Sequence, residues 1–163
     1  MPTLAWSGEK LSPVLTERLH SSIQLWKGTR YHEGAQRPGA GVDCWRFVSA
    51  VADDMRQRPR VKLPRMISDV AMHNAVRARA ALRWAIEEHG LIDIGGYLVT
   101  PGDCVIAGPP DGGPGHAMLA GPDGFLWHVT KAQGVDCTGL TTHGLTFYTI
   151  LRVKPELWPQ YPP

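Results

Sequence analysis

Cys44, His116 and His128 are the residues of this sequence whose types could together cleave an amide. A cysteine nucleophile attacks carbonyl carbon as the thiolate. It needs a base to take its proton, and that base needs a partner to orient it. His116 and His128 lie twelve residues apart across a turn, and Cys44 lies where a Gly-rich loop becomes a helix. Two elements must therefore bring these groups together.

The first is the helix that begins at Gly41-Val42-Asp43-Cys44-Trp45-Arg46-Phe47-Val48. Apolar residues at Cys44, Phe47, Val48, Val51, Ala52 and Met55 follow the helical series, with Cys44 on the interior face. Asp43 is a good N-cap, able to accept the free N–H of Trp45 or Arg46. Cys44 is then the first helical residue, where the positive end of the dipole favours a thiolate. Free cysteine is also among the most buried and inert residue types, so the helix alone leaves both readings open.

The second element is a hairpin. His116-Ala-Met-Leu-Ala120 and Phe125-Leu-Trp-His-Val129 flank Gly121-Pro122-Asp123-Gly124. A two-residue loop would put the histidines on opposite faces. A three-residue loop, Pro122-Asp123-Gly124, sets Met118 opposite His128 and both imidazoles on one face. Proline suits the second position of a type I turn and glycine the left-handed residue that follows, so the sequence favours the longer loop.

Around these, Ser12-Pro13 starts a helix over Val14, Leu15, Leu19, Ile23 and Trp26 that Gly28 closes. Residues 1–11 read as irregular. Arg56 to Arg65 carries five basic residues and two prolines and reads as a solvated connector. Asp69 to His89 reads as a second long helix ended by Gly90. From Leu91 the period becomes two. Strands are expected after the Pro101-Gly102-Asp103 turn, on both sides of the hairpin turn, and over Leu145 to Val153. Helices followed by an antiparallel sheet make an α+β fold. The chain of 163 residues reads as one domain, with a core over 12–153 and a Pro-rich tail over 154–163. A net charge of +2 says little about partners, and no nucleic acid is expected. Three cysteines without a C-x-x-C pair suggest neither a disulfide framework nor a common zinc motif. No apolar run approaches the ~18 residues of a membrane span, and no secretion signal is recognisable.

Gly28-Thr29-Arg30-Tyr31, Gly41-Val42-Asp43-Cys44-Trp45, Pro101-Gly102-Asp103, and Gly115-His116 with His128 together resemble the NlpC-type cysteine peptidases. These are cell-wall endopeptidases of compact, papain-like fold. The match runs from about Gly28 to Val129, and the tryptophan after the cysteine resembles the variant of phage-tail-associated wall hydrolases. Arg46 departs from the family, where glycine is usual, and bears on the shape of the substrate groove. The resemblance implies N-terminal helices packed on a small antiparallel sheet. It makes Cys44 the nucleophile, His116 the base and His128 its orienting partner. Tyr31, Asp43 and Trp45 become substrate or oxyanion contacts. No cofactor or metal is implied. The implied substrate is a stem-peptide amide of peptidoglycan, between D-glutamate and the diamino acid. Without a signal sequence, the protein is expected to be made in the bacterial cytoplasm and delivered to the wall by a phage tail or phage-like particle, with tail-tip proteins as partners.

Three rival readings stand beside this one. Gly134-Val-Asp-Cys137 would hold the nucleophile in a permuted fold, although no apolar helical stripe follows it. Cys44, His116 and His128 could ligate zinc in an amidase, at a spacing that matches no familiar metal pattern. A docking module could keep the fold without catalysis. Cys104 reads as core, and His20, His32, His73, His89 and His143 as solvated or capping. Trp158 and Tyr161 make the tail either a docking segment or a strap on its own domain.

Overall fold

The computed structural model describes residues 3–64, 67, 75–109, 114–141 and 144–159. Helix α1 (Pro13–Trp26) begins as expected: Ser12 Oγ accepts the Leu15 N–H at 3.3 Å. Its Leu15, Leu19, Ile23 and Trp26 are buried. Helix α2 (Cys44–Met55) is capped by Asp43, and α3 (Ala75–His89) ends at Gly90 with φ +61°. The expected start of that last helix, from Asp69 to Asn74, lies outside the described residues.

A six-stranded antiparallel sheet forms from β4 (Leu91–Asp93), β6 (Cys104–Gly108), β7 (His116–Ala120), β8 (Leu126–Thr130), β9 (Gly134–Thr138) and β10 (Thr146–Val153). Its strand order is β4-β10-β6-β7-β8-β9. Successive strand residues point to opposite faces. One face, with Cys104, Ile106, Ala117, Leu119, Trp127 and Val129, shares a core with the helices. The other, with Val105, Met118, Ala120, Leu126 and Ile150, is covered by Leu4, Trp6 and Phe147. The architecture is α+β, as the order of elements predicts.

The N-terminal stretch is not wholly irregular. A short strand β1 (Ala5–Trp6) pairs in parallel with β5 (Leu98–Val99). The sheet's second apolar face needs cover, and two residues are too few to display an alternation. In the Pro-Gly-Asp turn Gly102 takes φ +91°. Asp103 accepts the Thr100 N–H at 2.8 Å and receives Arg152 Nε and Nη2 on its two oxygens, each at 2.8 Å. The turn is thereby locked to β10.

The basic connector also departs from its reading as solvated chain. Arg58 pairs with Asp53, and Arg60 gives both Nε and Nη2 to Asp54 at 3.0 Å while lying over the Trp26 ring. Two aspartates near the C-terminal end of α2 oppose its dipole, and the arginines that follow neutralise them. The C-terminal segment folds back: Leu157 packs against Gly90, and Trp158 near Gly102. Through Trp158 the tail is a strap on its own domain, while Tyr161 lies outside the described residues.

Candidate active site

The lead-in loop is fixed to the sheet by Gly28 and Thr29. Gly28 N–H donates to Val135 O at 2.9 Å, and Val135 N–H donates to Thr29 O at 2.8 Å. Gly134, at φ +71°, allows this approach, since a Cβ there would sit 2.3 Å from Thr29 O. The chain then runs beside β3 (Gly41–Val42), which pairs with β2 (Gln36–Arg37). Val42 N–H donates to Arg30 O at 3.1 Å and His32 N–H to Val42 O at 3.0 Å. Tyr31 is thus bridged in parallel to Val42, two residues before the cysteine. It is half-buried, with Lys131 Nζ 5.5 Å from its ring centroid.

Cys44 is the first residue of α2 and is 2% exposed. The capping expectation holds, with Arg46 as the donor: its N–H reaches Asp43 Oδ1 at 2.9 Å. Asp43 Oδ2 accepts the Gly34 N–H at 2.8 Å and Arg46 Nη1 at 2.7 Å. Burial holds the Asp43 carboxyl above its ordinary range, and these donors offset only part of the rise. Trp45 is buried and lines a pocket of about 40 Å³ with Ser49, His89, Cys104 and Trp158. Of the three contacts inferred beside the triad, Tyr31 is the one with substantial surface open to solvent.

Helix α2 packs across β7 and β8, the hairpin that carries the histidines. Leu119 pairs with Trp127 and Ala120 with Leu126, and Gly121 N–H donates to Phe125 O at 2.9 Å. The loop is therefore Pro122-Asp123-Gly124, with Gly124 at φ +82°. This is the register the turn residues predict, and it sets both imidazoles on one face. His116 Nε2 lies 3.1 Å from His128 Nδ1, the rings 5.4 Å apart at 73°. If His116 donates from Nε2, its Nδ1 is the lone-pair nitrogen, able to take a proton.

The rival thiols have other surroundings. Cys137 lies in β9, opposite Trp127, rather than at a helix start. Burial, then Asp136 and Asp123, raise its thiol. Cys104 is buried in β6, and burial pushes its thiol far above the ordinary range. Among the described residues no three His, Cys, Asp or Glu side chains gather so as to hold a metal ion.

No protein-family model matches the sequence, and no curated protein does. Solved structures do match. An NlpC/p60 family protein from Bacillus cereus has a TM-score of 0.58 at 18% identity, over 94% of this chain and 42% of that one. A lipoprotein-like NLP/p60 family protein from Staphylococcus aureus gives 0.57 at 15%, over 90% and 44%. The NlpC/p60 domain of peptidoglycan hydrolase SagA gives 0.52 at 17%, over 85% and 98%. The fold is that of the NlpC/p60 proteins. The chain spans less than half the length of the first two, and nearly the whole of the SagA domain.

Two groups on this NlpC/p60 fold escaped sequence reading. Arg46 is 5% exposed and sends its guanidinium to backbone carbonyls of Leu63, Pro64 and Ile67 as well as to Asp43. His89, read as solvated or capping, is 3% exposed. Its Nε2 lies 3.0 Å from Ser49 Oγ, and its Nδ1 lies 3.5 Å from Asp53 Oδ1. That order mimics a hydrolytic triad. Arg58 Nη2, which can only donate, lies 3.0 Å from the same Nδ1. Nδ1 cannot accept from Arg58 and donate to Asp53 at once, so the order is not the fixed relay of a triad. The group instead joins α2, α3 and the basic connector.

Proposed function

We propose that this chain is a cysteine endopeptidase that hydrolyses a stem-peptide amide of peptidoglycan. The observation that carries the reading is the His116–His128 pair at 3.1 Å, on the hairpin crossed by the helix that Cys44 begins. The Cys44 thiol gives its proton to His116 Nδ1, and the thiolate attacks the amide carbonyl. Backbone N–H groups at the start of α2 contribute to the oxyanion site. His116 then returns the proton to the leaving amine, which departs as the C–N bond breaks. Water, deprotonated by His116, releases the acid and restores the thiol. His128 holds His116 in the required tautomer through the Nε2···Nδ1 contact.

The bond is that between D-glutamate and the diamino acid, and Tyr31 borders the substrate. Delivery to the wall is by a phage tail or phage-like particle, whose tail-tip proteins are the partners. The test is mass spectrometry of muropeptides incubated with the protein and with Cys44→Ala. The expected result is a product pair summing to substrate plus one water, absent with Cys44→Ala. No product from the folded wild type, alone or assembled in a particle, would leave a docking module.

A further inference from the structure

Arg46 sits two residues beyond Cys44, and both terminal nitrogens of its buried guanidinium meet hydrogen-bond acceptors. Nη1 reaches Asp43 Oδ2 at 2.7 Å and also Ile67 O; Nη2 reaches Pro64 O at 3.2 Å and Leu63 O at 3.4 Å. Its own carbonyl accepts Gln36 Nε2 at 3.0 Å. Asp43, held by Arg46, takes the Gly34 N–H with the same oxygen. Two stretches of chain, distant in sequence, are thus fastened to the first turn of α2 by one buried ion pair. One is the stretch at Leu63, Pro64 and Ile67. The other is the loop that follows Tyr31.

We propose that Arg46 is a positioning residue, a clamp that holds the loop following Tyr31 and the stretch at Leu63, Pro64 and Ile67 to the helix turn that begins with the nucleophile. This rests on the reading of Cys44 as nucleophile. The planar guanidinium offers five N–H donors, enough for a carboxylate and three carbonyls at once. A lysine ammonium keeps the charge but cannot reproduce the fork, and glycine supplies nothing. Since Asp43 is paired with the cation, the clamp acts on the fastened loop and leaves the thiol's ionisation to the helix dipole and His116. The loop it fastens follows Tyr31, the proposed substrate contact, so the clamp governs binding.

The test uses Arg46→Lys and Arg46→Gly with soluble muropeptides. Arg46→Lys should raise KM roughly tenfold at nearly unchanged kcat, the pattern of lost uniform binding. The pH profile of Cys44 alkylation by iodoacetamide should stay where it is. A fall in kcat at constant KM, a shifted alkylation profile, or kinetics unchanged beside a lowered Tm would each overturn the proposal. Hydrogen exchange reads the clamp without activity. In Arg46→Gly the amides of His32, Gly34 and Ala35 and that of Ile67 should lose protection together, and loss confined to Ile67 overturns the clamp. If the wild type hydrolyses nothing, the functional reading falls while the exchange result still judges the clamp.

Discussion

His116 Nε2 and His128 Nδ1 lie 3.1 Å apart because Gly124 closes the hairpin with a three-residue loop. One residue fewer in that loop would turn one imidazole to the other face of the sheet. The relation ties the proposed chemistry to a single backbone conformation.

The two histidines should respond unequally to substitution. His116→Ala removes the proposed base and should lower kcat by roughly 10²–10⁴. His128→Asn keeps a carbonyl acceptor for His116 Nε2–H and should cost far less. Steady-state hydrolysis of soluble muropeptides checks this, and equal losses would remove the orienting role of His128.

Gly124 and Gly134 both have positive φ, but for different reasons. No atom lies within 4 Å of a Cβ built on Gly124, so Gly124→Ala meets backbone strain alone, about 1–2 kcal/mol. Gly134→Ala adds a clash with Thr29 O and threatens the Gly28 and Val135 hydrogen bonds, so it should cost at least about 3 kcal/mol. It should also disturb Tyr31. Urea unfolding of both variants ranks them, and equal costs would contradict the close approach.

Asp53 gives stability a defined pH dependence. Burial opposes its ionisation, but contacts with His89, the Val61 N–H and Arg58 outweigh burial and hold its carboxyl below the ordinary range. Its contribution is fully present above the unfolded value, near ~3.9. It is lost as pH falls through the lower folded value. Asp53→Asn should therefore be less stable at neutral pH by about 2 kcal/mol, Arg58 being partly exposed. The deficit should shrink on acidification below ~pH 4. A deficit independent of pH would point to lost packing instead.

The thiols should be distinguishable without substrate. Native Cys104 should resist iodoacetamide until the protein unfolds, and Cys137 should react slowly near neutral pH, since burial raises both thiols. Peptide mapping of the labelled protein reports each site. Rapid native labelling of Cys104 would contradict its burial in β6.

What could be read in the sequence was local. Ser12, Asp43 and Gly90 mark helix ends because a cap needs its own side chain or φ, and Pro122-Asp123-Gly124 fixes a register because a turn is three residues long. What escaped depends on partners far along the chain. Arg46 reads as a departure from a motif until Leu63, Pro64 and Ile67 stand beside it. His89 looked like a capping residue because Ser49, forty positions earlier, is invisible from the end of α3. The basic connector offered one usable signal: Asp53-Asp54 at the end of a helix, followed by arginines at alternate positions. That pattern reads as charge compensation as readily as a solvated face.

The contact between Gly28-Thr29 and β9 has a second consequence. β9 is an outer strand, and outer strands present amide donors that can recruit a strand from another molecule. On β9 the donor of Val135 is spent on Thr29 O, and that of Cys137 on Asp136 Oδ1 at 2.8 Å. The loop that carries Tyr31 to the cysteine therefore also covers part of this edge of the sheet. A protein crowded at high local concentration gains from this, because its sheet cannot lengthen through those two positions into a neighbour's.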